Sequence, residues 1–196
     1  MVRAGITIDR LVAAAAELAD EAGFEQVTLS ALARGFGVKD ASLYAHVKSL
    51  QDLRHRVARL AGGEMIDLIG AAVAGRSGKD ALAAYAGAYR AYALAHPGRY
   101  AATQIRVDPA LADPADPAMR RTVEITYGML RGYGLVEPDA TDAVRLLRAT
   151  FHGYCALEAG GGFNAPRDVR ASWDRAIDAL HIALEHWPHE ETARHA

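Results

Sequence analysis

Residues 28–48, TLSALARGFGVKDASLYAHVK, constrain the fold more than any other part of the chain. Leu29, Leu32 and Ala33 recur at helical spacing behind Thr28, a residue type that caps helices by accepting from their free N–H groups. Gly35-Phe36-Gly37 interrupts that helix, because glycine enters backbone regions that other residues resist. Val38 follows as an apolar plug. A second short helix is predicted from Lys39 or Asp40 onward, with Leu43 and Val47 four residues apart and turned inward together. Ser42, Tyr44, Ala45 and His46 are left for its other faces, with Lys48 just beyond. Two short helices and a tight turn, the second with polar groups outward, make a helix-turn-helix pattern whose second helix suits the major groove of DNA.

The rest of the chain also reads as helix, because alternating strand patterns are absent and the breakers fall between helical windows. A first helix is predicted over 7–22, capped by Thr7 and stopped by Gly23, with Ile8, Leu11, Val12, Ala15, Leu18 and Ala19 buried. A connector helix covers 49–74 and contains Gly62-Gly63, either a site of close packing or kinking or a flexible link. Further helices are predicted over 80–95, 99–107, 118–134, 139–159 and 167–187. The segment 108–117, with three prolines and three aspartates, reads as a loop, and the tail after Pro188 as frayed. The expected fold is all-α: a helix-turn-helix domain over 1–48 and a helical ligand-binding and dimerisation domain over 49–196.

Composition narrows the function classes. Apolar residues make up 51% of the 196, enough for a globular core. The formal net charge is −2, with +1 on the first sixty residues, so DNA binding is inferred from the motif rather than from overall basicity. The lone Cys155 excludes an internal disulfide and a cysteine-held zinc. No signal-peptide pattern and no membrane-length apolar run occur, so a cytoplasmic protein with no membrane role is expected. The eight histidines lack the spacing of a metal-binding helical pair, and no metal or cofactor is expected.

Residues 7–53 resemble the DNA-binding domain of the tetracycline-repressor (TetR) family. Ala13-Ala14, Leu18, Glu21-Ala22-Gly23-Phe24, the run 28–33, Gly37-Val38 and above all the run 43–49, LYAHVKS, carry the resemblance. Farther on, the run 96–100, HPGRY, then Phe151-His152-Gly153, Glu158 and the run 160–163, GGGF, resemble the Trp-His-Gly subclass, with Phe151 where tryptophan is frequent. The resemblance implies a ligand-responsive transcriptional regulator, a repressor released from a palindromic double-stranded operator by a small-molecule effector. It also implies a homodimer formed by the last two helices.

Thr28, Tyr44 and Lys48 are candidates for phosphate contact, and Ala41 and Ser42 for base edges. His46 either touches phosphate or packs beneath the helix. Lys39 stands where the family favours a small capping residue, so Asp40 is a substitute cap. Left uncapped, its charge either repels phosphate or meets a cytosine amino group. Ala45 replaces a large aromatic and shortens the readable surface. Effector-lining candidates are Tyr89, His96, Tyr100, Met129, Phe151 and His152, the last either a core histidine or a polar anchor. Trp173, Ile177 and Leu184 are dimer-interface candidates whose alternative is the subunit's own core.

The competing class is a helical enzyme, or a small-molecule-binding protein without a DNA role. No phosphate-binding loop, nucleophile elbow or zinc-protease motif is present. His152 and Cys155 stand three apart as a nominal base and nucleophile, but reactive cysteines need an electropositive, accessible setting. No catalytic residue is assigned.

Overall fold

The computed structural model describes residues 5–106 and 115–188. Among them every regular element is helical. Helices α1 (Ile8–Ala22) and α2 (Leu29–Phe36) are followed by a 3-10 segment, Asp40–Ala45, and then by α3 (Leu50–Val73) and α4 (Gly78–Ala95). A short α5 (Pro97–Ala102) precedes α6 (Pro117–Arg131), α7 (Asp139–Ala159) and α8 (Val169–Glu185). No helix among the described residues is long and apolar enough to cross a membrane. Most of the expected loop over 108–117, and the tail from 189, lie outside the described residues.

The chain divides into two compact units. One takes Met1–Asp67 and Ala91–Arg120, the other Leu68–Arg90 and Arg121–Ala196. In the first unit α1 begins as its sequence dictates: Thr7 Oγ1 accepts from Arg10 N at 3.3 Å. The helix ends at Gly23, whose φ of 96° is a left-handed value that glycine alone adopts without strain. Small residues form the buried stripe, with Ala15, Ala16 and Ala19 beside Leu11, while Ile8, Val12 and Leu18 are only partly buried. They pack with Leu32, Ala33, Leu43, Val47, Leu53 and Val57 in one apolar core.

Alpha-5 joins that core, and Ala102 is fully buried in it. It begins two residues before the expected Arg99. Pro97 takes its first position, where the missing N–H costs no hydrogen bond. Gly98 lies hard against α1: a Cβ there would fall 1.8 Å from the Ala19 carbonyl oxygen. Polar bonds surround this contact. Arg99 N donates to Asp20 Oδ1 at 2.8 Å, and Arg99 Nη1 reaches Glu64 Oε2 at 3.3 Å. Its Nε lies 3.1 Å from Asp20 Oδ2, but off the angle of a hydrogen bond. Tyr92 Oη donates to Glu64 Oε2 at 2.9 Å, and burial with that carboxylate pushes the phenol's pKa far up.

The second unit takes the end of α3 from Leu68, α4 as far as Arg90, α6 from Arg121, and all of α7 and α8. Trp173, Ile177 and Leu184 are 2%, 4% and 1% exposed in the single chain. They fill the protomer's own core, so they are not available as the dimer contacts expected of them. Each is the bulky residue of its turn on α8, and bulk is what a core needs.

Gly98→Ala is expected to destabilise the protein by about 1–3 kcal/mol or more, because α5 must lift off the α1 backbone. Gly87→Ala, mid-helix in α4 with nothing near its missing Cβ, should be neutral or stabilising by up to about 1 kcal/mol. Urea unfolding of the two variants side by side checks both.

Candidate nucleic-acid interface

The helix-turn-helix is assembled from local bonds. Thr28 caps α2, its Oγ1 accepting from Ala31 N at 3.1 Å. At the other end Gly37 is left-handed (φ 67°), and Val38 N donates to Ala33 O at 3.0 Å. Val38 itself is exposed rather than a buried plug, because this bond ties down its backbone while the side chain stays outside. The second element differs from the expected α-helix. It is a six-residue 3-10 segment, Asp40–Ala45, preceded by Lys39 with no side-chain cap. Its bonds close over three residues, Lys39 O accepting from Ser42 N and Leu43 O from His46 N, both at 2.9 Å.

Leu43 and Val47 are buried and hold this segment against the core. That leaves Lys39, Asp40, Ala41, Ser42, Tyr44 and Lys48 exposed, along with Thr28, while His46 is half-buried. Asp40 does not cap the segment; its Oδ2 accepts a hydrogen bond from the Ser30 hydroxyl of α2. Lys48 is fixed from the other side, its N–H donating to Asp52 Oδ2 at 3.0 Å. Asp52 in turn takes Arg56 Nε at 2.9 Å, and its own N–H donates to Ser49 Oγ at 3.0 Å. Ser49 and Asp52 have the spacing of a capping box, so that anchor was readable in the sequence. Arg54 was not. Its Nη2 donates to Glu25 O at 3.1 Å, and its guanidinium lies 5.3 Å from the Phe24 ring, tying α3 to the turn after α1.

The effector candidates fall in both units. His96 and Tyr100 belong to the first, where His96 Nδ1 pairs with Asp20 Oδ2 at 3.1 Å and Tyr100 is buried. Tyr89, Met129, Phe151 and His152 belong to the second, the first three buried and His152 half-buried. There the Phe151 ring centre lies 5.4 Å from Tyr89, 6.1 Å from Tyr85 and 5.6 Å from Trp173. Tyr154 continues the chain of rings from Trp173 to Phe163, at 5.3 Å on each side.

Polar groups edge this cluster. Tyr85 Oη and Thr126 Oγ1 are 3.0 Å apart in a buried bond, and burial raises the phenol's pKa. Arg90 grips Glu158 through two bonds, Nε to Oε2 at 2.8 Å and Nη2 to Oε1, and lies 5.9 Å from the Trp173 ring. The carboxylate bond raises the guanidinium's pKa further. The sequence-derived candidates leave out Tyr85, Arg90 and Thr126, and Glu158 enters there only through the subclass resemblance. Tyr85 stands four residues before Tyr89, a usable signal, whereas the Arg90–Glu158 pair spans 68 residues and leaves no local one. Cys155 is buried beside them, and burial pushes its thiol up to about 11. Such a thiol is almost wholly protonated at neutral pH, the reverse of an activated nucleophile.

An exposed recognition segment in an all-helical chain with a second helical unit defines a helix-turn-helix regulator of the two-domain kind. Comparison with known proteins agrees. Residues 11–57 match the family described as "Bacterial regulatory proteins, tetR family", and residues 82–180 match "Tetracyclin repressor-like, C-terminal domain". The HTH-type transcriptional regulator Rv0681 of Mycobacterium tuberculosis is 36% identical over 81% of this chain and 72% of its own length. The HTH-type regulator YobS of Bacillus subtilis is 31% identical over 89% and 91%. Among solved structures, a Rhodococcus protein of unknown function has a TM-score of 0.74 at 26% identity, covering 94% of this chain and 98% of its own. Apo ActR of Streptomyces coelicolor has the same fold at a TM-score of 0.70 and 19% identity, covering 93% and 98%. The chain belongs to the TetR family of DNA-binding transcriptional regulators.

The Cys155 assignment has a pH signature. A thiol whose pKa is raised on folding contributes stability that is intact below the unfolded value, near 9.0, and is lost as pH rises through about 11. Tyr133, pushed up to about 12 mainly by burial, acts with the same sign at still higher pH. Stability is therefore expected to fall from pH 9 upward, and replacing Cys155 with alanine should flatten the first part of that fall. Ellman titration at pH 8 should label the native thiol far more slowly than the urea-unfolded one.

Proposed function

We propose that the protein is a homodimeric repressor that binds a palindromic operator through residues 28–48 and is released by a small-molecule effector held in its second unit. The DNA-reading half rests on one observation. Leu43 and Val47 are buried, while Ala41, Ser42, Tyr44 and Lys48 stand outside on the same short segment. Tyr44, Lys48 and Thr28 position the protein on phosphates, and Ser42 and Ala41 meet base edges. The effector half is supported by the aromatic cluster around Phe151 with its few polar groups, the composition of a site for a largely apolar ligand. Phe151-His152-Gly153 supports placing this half in the Trp-His-Gly subclass. In a related fold, ActR has been seen with actinorhodin, at 20% identity. The repressor acts in the cytoplasm, where the DNA is.

The dimer face is assigned to residues that the core leaves out. Alpha-7 exposes Leu146, Ala149, Ala156 and Leu157, and α8 exposes Ala179 and Ile182, all at helical spacing. Leu157 and Ile182 are 48% and 57% exposed in the single chain. Two such pairs packing across a two-fold axis give a four-helix bundle, and two recognition segments about 34 Å apart then meet successive half-sites.

Two tests follow from these assignments. Footprinting on DNA upstream of the protein's own gene should show one protected palindrome. On that duplex Lys48→Ala should weaken all sequences alike and lower the salt slope by about one, whereas Ser42→Ala should change preference at one position by about 1–3 kcal/mol. An absence of protected DNA, or an unchanged salt slope in Lys48→Ala, counts against the respective assignment. In sedimentation, Ile182→Glu with Leu157→Glu should give a folded monomer. Trp173→Ala should instead cost about 3–5 kcal/mol of stability.

A further inference from the structure

We propose that Asp40 is a base-reading, specificity-determining residue that selects cytosine in each half-site, and that Ser30 is the positioning residue that aims it. The inference rests on the DNA-reading function proposed above and deepens it. Asp40 is exposed at the start of the 3-10 segment, beside Ala41 and Ser42. The alternative use of an aspartate there is to cap the segment's free N–H groups, and no side-chain cap exists. Its Oδ2 instead accepts from the Ser30 hydroxyl, ten residues earlier on α2. That bond bridges the two helical elements of the motif and fixes the carboxylate's direction. Among the described residues the other oxygen, Oδ1, has no bonded partner.

A carboxylate only accepts hydrogen bonds. In the major groove, cytosine presents the N4 amino donor without a neighbouring acceptor of its own, whereas adenine sets its N6 donor beside the N7 acceptor. Guanine N7 and O6 and thymine O4 are acceptors and repel it. Phosphates repel it as well, so an exposed carboxylate in this segment is favourable only where a cytosine amino group meets it. The Ser30 bond makes that selection sharp, because a carboxylate that swings freely can retreat to water and accept any base. By donating its hydroxyl proton to Asp40, Ser30 keeps only acceptor capacity and has no proton left to give a base.

The test is selection from a random-sequence duplex library by the full-length protein, followed by titration of the selected operator and its single-base variants. Wild-type protein should prefer cytosine at one position of each half-site. Asp40→Asn should shift that preference toward adenine by about tenfold, since an asparagine amide matches adenine N6 and N7. Ser30→Ala should blur the cytosine preference by several-fold while leaving the salt slope unchanged, and Ser30→Thr, which keeps the hydroxyl, should restore it. Both side chains are exposed, and matching melting curves for all variants confirm that folding is intact. An operator that Asp40→Asn binds with unchanged preference, merely tighter everywhere, overturns the role of Asp40. A Ser30→Ala profile identical to wild type, or a Ser30→Thr profile that remains blurred, overturns the role of Ser30. A library from which wild-type protein enriches no sequence overturns the DNA-reading function, and this inference with it.

Discussion

The contact on which the first unit depends is the one between Gly98 and the α1 backbone. Two helices approach this closely only where one of them has no side chain. A Cβ at Gly98 would overlap the Ala19 carbonyl group, so no rotamer change could relieve it. Close approach then makes the polar bonds short enough to form. Asp20 receives the Arg99 N–H and the His96 ring, and Glu64 receives Tyr92 and the Arg99 guanidinium. Each carboxylate is shared by two partners, and Arg99 and Asp20 are largely shielded from water. Removing one member of such a set leaves a partly desolvated charge behind, which costs more than the bond itself was worth.

This explains why the compact units do not follow chain order. Residues 91–120 lie well beyond the helix-turn-helix in sequence, yet they complete its unit. Alanines at 15, 16 and 19 keep the α1 surface low, and Gly98 and Ala102 meet it with equally small residues. Bulk enters from elsewhere, through Leu11, Leu43, Leu53 and Val57. The consequence for DNA reading is mechanical. The recognition segment rests on Leu43 and Val47, which rest on the same core that α5 closes.

Periodicity and capping made much of this legible in the sequence. Thr7, Gly23, Thr28 and Gly37 mark helix ends by side-chain chemistry or backbone freedom, and both are local properties. The two inward residues of the recognition segment follow from a spacing of four. What sequence could not decide was whether bonds there close over three residues or four, since Asp40 is drawn to Ser30 rather than to the segment's own N–H groups. The partner of His96 was not legible for a similar reason, because Asp20 lies 76 residues away. On α8 two apolar stripes coexist, one bulky and one mostly small. Spacing alone does not tell which of the two fills the core.

The charge pattern of the recognition surface follows from the same geometry. The first sixty residues carry a net charge of only +1, and the exposed segment sets Lys39 and Lys48 against Asp40. A surface so weakly basic would gain little from phosphates in general, so a low affinity for arbitrary DNA that falls with salt is expected. Specificity is a difference between affinities, and it widens when the wrong partner is penalised as well as when the right one is favoured. Asp40 supplies the penalty, because a carboxylate opposite the wrong base loses hydration and meets an acceptor. Its loss would therefore raise affinity for random DNA even as it removed preference for the operator. A protein that must find one site among a genome of competitors gains more from that penalty than from another lysine.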